Sequence, residues 1–287
     1  MQMDSPSGST DEATWVAETI ARFCGLAQNS LGMADGEPVF ATPLVGFAAG
    51  DDPVFEEFKR HVGAFHLTPG EAFALAFPEL ATTASELTLV SWILPHTEKT
   101  KRDNCRETNL PAERWARAKL LGEQVNSALR EHLVATLGEA GIAAVAPACL
   151  PQYLIEDVTS NWSERHIAYA AGLGTFGLCD GLITPLGKAM RCGSVVARLS
   201  LAATPRLYSD HHAYCDFFAG KRCAACVERC PVGAISEQGH DKAKCLAYLT
   251  QVRREFIEPH FGFSTDACGL CQTDVPCESR APGRQHG

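Results

Sequence analysis

The sequence has no long apolar segment. None of its apolar runs reaches the roughly 18 residues that a membrane-spanning helix needs, so we expect no membrane span. Residues 1–10 have neither the basic start nor the apolar stretch of a signal peptide, and they predict a disordered lead-in to a cytoplasmic protein. Internal repeats and low-complexity tracts are also missing. The 46% hydrophobic and 21% charged content is ordinary for a folded soluble chain.

Positive charge is scarce in the first part of the chain. The formal net charge is −9. From Pro205 onward, 10 Lys and Arg balance 10 Asp and Glu, so the residues before it hold 15 basic and 24 acidic side chains. An extended nucleic-acid surface needs clustered cations, and the acidic body therefore argues against one.

Helix and strand signals alternate over residues 11–204. Leu44–Ala48 and Leu87–Leu94 are short apolar runs of the kind found in buried strands. Thr68 and Glu71 have the spacing of a capping box at a helix start. Such alternation predicts an α/β (α+β) layered domain.

The character of the sequence changes near residue 205. Before it, a long apolar-periodic segment from Pro111 to Gly141 predicts a helix. After it, cysteine, glycine and charged residues replace the periodic patterns. We therefore expect a second domain over residues 205–287, held together by metal more than by a large apolar core.

Cysteines mark this second domain. The chain has 13, and the eight in its last part are Cys215, Cys223, Cys226, Cys230, Cys245, Cys268, Cys271 and Cys277. Such density in a protein without a secretion signal points to metal rather than to disulfides. The other five are interpreted as buried small hydrophobic residues, with Cys179 and Cys192 kept open: Cys24, Cys105, Cys149, Cys179 and Cys192.

The segment Cys223–Ile235 carries the C-x2-C-x3-C-P core of a bacterial ferredoxin. The usual first cysteine would fall at Gly220, and Cys215 is the obvious substitute. The eight cysteines predict two 4Fe-4S clusters with interleaved ligation. One predicted set is Cys215, Cys223, Cys226 and Cys277; the other is Cys230, Cys245, Cys268 and Cys271. Zinc is the alternative, although this spacing is not a zinc-knuckle pattern.

The stretch Gly172-x-Gly174-x-x-Gly177 spells a dinucleotide-binding fingerprint, which requires a strand before it and a helix after it. Here the order is reversed. Asn161 and Glu164 resemble a capping box that opens a helix before the glycines, and strand-like segments follow them. The dinucleotide interpretation therefore fails, and the residues alone favour turn glycines.

An Ala-Gly-Leu-Gly loop after a helix with Glu164 and Arg165, followed by a strand pair and a two-cluster module, resembles the epoxyqueuosine reductase family. That family is related to the reductive dehalogenases. The resemblance implies a nitroreductase-like, cobalamin-binding domain beside a ferredoxin-like domain. Electrons would pass through both clusters to the corrin cobalt, which reduces a substrate. The residues that the resemblance places along the corrin are Gly172, Gly174, Phe176, Gly177, Gly187, Arg191 and Gly193.

The resemblance also implies a protein acid. The family's aspartate aligns without a gap with Val158, so the adjacent Asp157 is the candidate acid. An equally open interpretation makes Asp157 a solvated loop carboxylate. His166 and Tyr169 are the alternative proton donors.

Partners follow from the same resemblance. It implies an external electron donor, such as a flavodoxin, a ferredoxin or a reductase. Thr175 and Leu178 stand where the family has tryptophan and lysine, and few residues follow Cys277. A small-molecule substrate is therefore favoured over tRNA. Two other hypotheses stay open: an iron–sulfur electron-transfer protein without corrin, and a zinc-stabilised interaction module.

Overall fold

The computed structural model describes residues 9–156 and 158–282. Its α-helices are α1 (Ser9–Cys24), α2 (Val54–His61), α3 (Pro69–Ala76), α4 (Glu98–Cys105), α5 (Glu113–Glu139), α6 (Glu164–Ala170), α7 (Ala225–Glu228), α8 (Lys242–Val252) and α9 (Glu258–Phe261). Its strands are β1 (Leu44–Ala49), β2 (Thr88–Pro95), β3 (Ala144–Val145), β4 (Ile155–Glu156), β5 (Thr159–Ser160), β6 (Thr175–Phe176), β7 (Leu182–Ile183), β8 (Met190–Ala197), β9 (Ile235–Ser236) and β10 (Gly239–His240). A π-helical turn, Arg253–Ile257, joins α8 to α9.

One antiparallel sheet organises the first part of the chain. Its strand order is β1-β2-β8-β3. Every residue of β2 is buried, because the sheet is covered on both faces and β2 is paired on both edges. This explains why β2 is a mostly apolar run in the sequence rather than an alternating one.

Two apolar cores flank the sheet. On one face, α1 and α5 pack against it through Ile20, Leu129 and Trp92, which belong to one contiguous cluster. On the other face, Phe55 of α2 and Trp162 belong to a second cluster with α3 and α6. The predicted layered α/β architecture is confirmed, with an antiparallel sheet as its centre.

Of the two helix-capping boxes predicted from the sequence, one is present in the structure and the other is absent. Thr68 caps α3: its Oγ1 accepts from the Glu71 backbone N–H, and the Glu71 carboxylate accepts from the Thr68 N–H. The box expected from Asn161 and Glu164 does not form, because Ser163 is the residue before α6. Asn161 instead accepts from the backbone of Leu154 through its side chain.

The first helix begins inside the segment that was predicted to be a disordered lead-in. Residues 1–8 of the predicted 1–10 segment lie outside the described residues, and α1 already begins at Ser9. Helix α5 begins close to the predicted start after Pro111. Within the described part of the chain, no helix is both long and apolar enough to cross a bilayer.

The cysteine-rich part has short elements only. Among the described residues, no helix or strand lies between β8 and α7, and the expected boundary near residue 205 falls in this segment. The two parts are nevertheless in direct contact. The Arg229 side chain donates to the backbone oxygens of Asn104 and Glu107, and Lys101 donates to Ser279 Oγ at 2.7 Å. These bonds attach the cysteine-rich part to α4 and the segment after it.

Candidate functional site

A cavity of about 520 Å³ lies between the two parts of the chain. One side is formed by α5, by the start of α6 and by the first residues of β8. The other side is formed by the cysteine-rich part, including the segment after Cys230 and the turn around Gly269. Its volume is in the range of small-molecule and cofactor sites.

Helix α5 supplies the charged wall of this cavity. Trp115, Lys119 and Glu123 recur at every fourth position, so they project from one helix face into the cavity. Glu123 pairs with Arg191 from β8. Desolvation and the neighbouring Arg191 lower the pKa of Lys119 to about 8. Among the described residues, no carboxylate pairs with Lys119, which leaves its ammonium available to an anionic or amide-bearing ligand.

A buried carboxylate lies at the start of α6. The Arg130 guanidinium donates to Glu164 Oε1 at 2.9 Å, and Ser194 Oγ donates to Glu164 Oε2 at 2.6 Å. Trp162 Nε1 donates in turn to Ser194 Oγ, which directs the hydroxyl proton towards the carboxylate. Burial raises the pKa of Glu164, and Arg130 and Ser194 oppose this shift. Glu164 therefore lies on the cavity wall and binds a proton more readily than an exposed carboxylate does.

The predicted proton donors lie elsewhere. Asp157 lies outside the described residues. His166 packs against Phe58 and Phe176, and its Nδ1 pairs with Ser163 Oγ at 2.8 Å. Burial lowers the pKa of His166 to about 3. Its ring is thus neutral and packed among aromatics.

Tyr169 is the third predicted donor. Its ring packs against Phe176 and Tyr208, and burial raises its pKa. Neither His166 nor Tyr169 belongs to the cavity wall, which takes Ser163, Glu164 and Arg165 from this part of the chain.

Of the seven residues predicted to line a corrin, Arg191 lies on the cavity wall. Gly172 and Gly187 have φ angles of +74° and +83°, which an L side chain rarely adopts. A Cβ at Gly172 would lie 3.1 Å from Pro205 O, and one at Gly187 would collide with the Glu278 backbone. These two glycines therefore allow chain segments to approach each other.

The remaining four also pack against protein. Gly174 and Gly177 lie against Ile183, and Phe176 packs on the His166 ring. A Cβ at Gly193 would lie 2.5 Å from Asn126 Oδ1. The glycine-rich loop follows α6 and leads into β6, so the helix-before-loop order expected from the sequence is observed.

The first predicted cysteine set lies around one small cavity. Cys215, Cys223, Cys226 and Cys277 all line a pocket of about 20 Å³ that is enclosed mostly by apolar side chains. Three of the four are buried. The set draws on three separate segments of the chain, yet the fold brings its members to one place.

The second predicted set lines the large cavity. Cys230, Cys245, Cys268 and Cys271 all belong to its wall. The Ala234 backbone N–H donates to Cys230 Sγ at 3.1 Å, an interaction that suits a sulfur carrying negative charge. Burial raises the pKa of Cys268, and the neighbouring Cys245 and Cys230 add to this.

Cys179 is a ninth thiol in this region. It is buried and packs in one cluster with Cys226 and Cys271. Lys188 Nζ donates to Cys179 Sγ at 3.3 Å. Of the other scattered cysteines, Cys192 is buried as expected, but Cys149 is exposed, because it ends a short 3-10 turn at the surface.

The arrangement can be tested against a metal group. No three His, Cys, Asp or Glu side chains among residues 9–156 and 158–282 are close enough to share a single ion. A four-iron cluster makes a different demand, because each of its four cysteines binds a separate iron. Two cavities, each lined by four of the predicted thiols, fit that demand.

Several wall residues were not predicted from the sequence. They are His96, Lys119, Glu123, Arg130, Glu164 and Lys188. The fourfold spacing of Trp115, Lys119 and Glu123 on a predicted helix was the one local signal that could have indicated a shared face. Lys188 gave no such signal, because its position depends on a turn and on contacts with the end of the chain.

Comparison with known proteins identifies relatives of this architecture. An epoxyqueuosine reductase of Bacillus cereus is 28% identical over 142 residues, which are 44% of this chain and 35% of that protein. One from Francisella cf. novicida is 30% identical over 125 residues, which are 42% of this chain and 33% of that protein. The matches therefore span about a third of the length of these curated relatives. No protein-family model matches the chain.

Solved structures match over nearly the whole chain. An epoxyqueuosine reductase with an epoxyqueuosine-modified tRNA stem loop has a TM-score of 0.54 at 16% identity, covering 94% of this chain and 66% of that one. A catabolic reductive dehalogenase in complex with 3-bromo-4-hydroxybenzoic acid has a TM-score of 0.50 at 15% identity, covering 94% and 37%. The chain shares the fold of these oxidoreductases, and the predicted resemblance to epoxyqueuosine reductases is confirmed.

Proposed function

We propose that this protein is an iron–sulfur, corrin-dependent reductase. The observation that carries the proposal is the division of the eight cysteines. Four line a small cavity of their own, and four line the cavity that also contains the charged residues of α5, α6 and β8. Two 4Fe-4S clusters would occupy these positions, with the second next to the reaction site.

The large cavity would hold the corrin beside the second cluster. Arg191 and Lys119 would contact its amide arms or phosphate, and Trp115 would supply an apolar surface. A bound corrin contributes a cobalt that takes up electrons and reduces the substrate. The protein's part is to position this group, to exclude water and to supply a proton.

Glu164 is the proton donor in this proposal. It lies on the cavity wall, and burial favours its protonated form. Arg130 and Ser194 hold the two carboxyl oxygens in place. Asp157 stays a candidate from the resemblance alone. His166 and Tyr169 would need a rearrangement of the aromatic packing around them to reach the cavity.

The names of the relatives suggest two substrates. Epoxyqueuosine in a tRNA stem loop is the first to test, because the curated matches are epoxyqueuosine reductases. The preference for a small molecule gains no support from these matches. A brominated hydroxybenzoate is the second, because a reductive dehalogenase with that ligand shares the fold. Electrons would come from an external donor protein.

The test is turnover of both compounds by the anaerobically loaded protein with a chemical reductant. We expect one of them to be reduced. Glu164→Gln should lower the rate about 100-fold or more, the usual range for loss of a general acid, with iron and cobalt content unchanged. Glu86→Gln is the matched control, because Glu86 also pairs with an arginine, Arg198, but lies outside the cavity wall.

Equal rates in Glu164→Gln and Glu86→Gln would remove Glu164 from the proton-donor role. A protein that binds iron but no corrin would instead be an electron-transfer protein that serves a partner enzyme. A protein that binds zinc and no iron would contradict the whole proposal.

A further inference from the structure

Lys188 is a buried cation that lies between the two cysteine-lined cavities. It is 3% exposed and belongs to the walls of both cavities. Its ammonium donates to Cys179 Sγ. In the part of the chain that the structure describes, no carboxylate lies within ion-pair distance of it. A buried ammonium without a carboxylate needs another source of negative charge.

The backbone holds Lys188 in this position. Its N–H donates to the oxygens of Cys277 at 2.9 Å and Glu278 at 3.1 Å, which ties the turn before β8 to the end of the chain. Gly181 completes the packing, because a Cβ there would lie 3.3 Å from Cys179 Sγ and 3.6 Å from Lys188 Cδ. The lysine and the cysteine are therefore confined against each other.

Cys179 continues the contact towards both predicted clusters. Cys179 packs in one cluster of side chains with Cys226, which belongs to the first predicted set, and Cys271, which belongs to the second. Lys188 and Cys179 therefore contact each other and lie beside cysteines of both sets. Of the other scattered thiols, Cys24, Cys105 and Cys149 line neither cavity.

We propose that Lys188 and Cys179 form a bridge between the two cluster sites, in which the ammonium is the shared counter-charge and Cys179 Sγ accepts its hydrogen bond and holds it in place. The bridge positions and tunes the clusters and does not ligate iron. This inference rests on the proposed iron–sulfur function and deepens it.

The physical consequence is a common shift of two potentials. Reduction adds an electron to a cluster that already carries negative charge, so a nearby cation and hydrogen bonds to its sulfurs stabilise the reduced form. Because Lys188 borders both cavities, it acts on both clusters at once. The bridge therefore raises both reduction potentials.

The test uses the full-length, iron-loaded protein in an EPR-monitored redox titration, with iron per chain measured on the same samples. Lys188→Met keeps the length and removes the charge, while Lys188→Arg keeps the charge. Cys179→Ala removes the acceptor that holds the ammonium, while Cys179→Ser keeps an acceptor. Cys24→Ala is the control for losing a thiol elsewhere, since Cys24 packs against the core of the sheet.

We expect Lys188→Met and Cys179→Ala to retain all the iron and to lower both midpoint potentials. Lys188→Arg and Cys179→Ser should shift them less, and Cys24→Ala should not shift them. Full iron loading of Lys188→Arg but not of Lys188→Met would also show that a positive charge is needed at this position.

Three results would overturn the bridge. They are unchanged potentials in fully loaded Lys188→Met, a shift confined to one cluster, and iron loss in Lys188→Arg as well as Lys188→Met. Loss of half the iron in Cys179→Ala would make Cys179 a ligand and would equally contradict it. A wild-type protein without iron would instead contradict the proposed function.

Discussion

The sheet region and the cysteine-rich region are built on different principles. All eight residues of β2 are buried, whereas Val252 alone is buried among the 11 residues of α8. The sheet region has two apolar cores, one on each face. The cluster around Cys226 contains thiols as well as apolar side chains. Burial of apolar surface therefore stabilises the first region, and we expect the second to depend on what its thiols bind.

Removal of iron should have the largest effect, because it should destabilise the cysteine-rich region and leave the sheet region stable. After anaerobic chelation, we expect backbone amides of α7 and α8 to lose their protection from hydrogen exchange, because metal binding supplies folding free energy where the apolar core is small. Amides of β2 and β8 should keep theirs. Hydrogen exchange with mass spectrometry measures both. Equal protection of α7 and α8 before and after chelation would show that the cysteine-rich region does not depend on iron. As a control, protection should return after iron and sulfide are added back.

A cavity in the apolar core should destabilise the sheet region alone. Leu129→Ala removes a fully buried side chain of α5, and we expect a loss of about 2–5 kcal/mol in the free energy of unfolding. Leu246→Ala on α8, where Leu246 is 42% exposed, is the matched control, with an expected change within about 0.5 kcal/mol. Urea unfolding gives both values. Iron content should be the same in the two variants; iron loss in Leu129→Ala would mean that the regions fold as one unit.

Acid should weaken the sheet region through a buried histidine. Burial lowers the pKa of His66 from 6.5 to about 4. The unfolded chain therefore binds a proton below pH 6.5 that the folded protein does not take up until about pH 4. Stability contributed by neutral His66 is present above pH 6.5 and is lost as the pH falls to 4, by up to roughly 3 kcal/mol.

Substitution by glutamine tests this acid sensitivity. His66 Nε2 accepts from the Ser163 N–H, and the glutamine oxygen can take its place without titrating. Urea unfolding of His66→Gln should depend less steeply on pH between 6.5 and 4 than that of the wild type. A comparison at about pH 8, where both forms are neutral, separates any loss of packing. Parallel slopes would exclude His66 as the source.

The smallest effect expected in the sheet region is loss of a helix cap. Thr68→Ala removes the bond to the Glu71 N–H at the start of α3 and should cost about 1 kcal/mol. Thermal unfolding should show this decrease, with iron content unchanged. No change in stability would indicate that tertiary contacts, and not the capping box, fix the start of α3.

The sequence predicted those elements whose signals are local. β2 is a mostly apolar run, α5 has apolar residues roughly in helical phase, and the Thr68 box consists of neighbouring residues, so each could be recognised without knowledge of the fold. The Asn161 box was wrong because the Asn161 side chain bonds to the backbone near Leu154 instead. A residue type that caps helices also stabilises turns, and the choice is made by tertiary contacts.

The cavity could be predicted only in part. The cysteine sets followed from ferredoxin-like spacing, whereas Glu164 and Lys188 reach the site through the packing of α6 and of the turn before β8. The glycines predicted along a corrin lie mostly against other chain segments, as Gly174 does against Ile183. Glycine permits a close approach, but the sequence does not state whether the approaching group is a ligand or the chain itself.

We propose above that the eight cysteines hold two 4Fe-4S clusters beside a corrin site. The most direct measurement is the metal content of the full-length protein, purified anaerobically from cells supplied with cobalamin. We predict about eight irons and about one cobalt per chain, with Cys226→Ser and Cys271→Ser each losing about half of the iron. Zinc in place of iron, or equal iron in Cys226→Ser and a Cys24→Ser control, would contradict the claim.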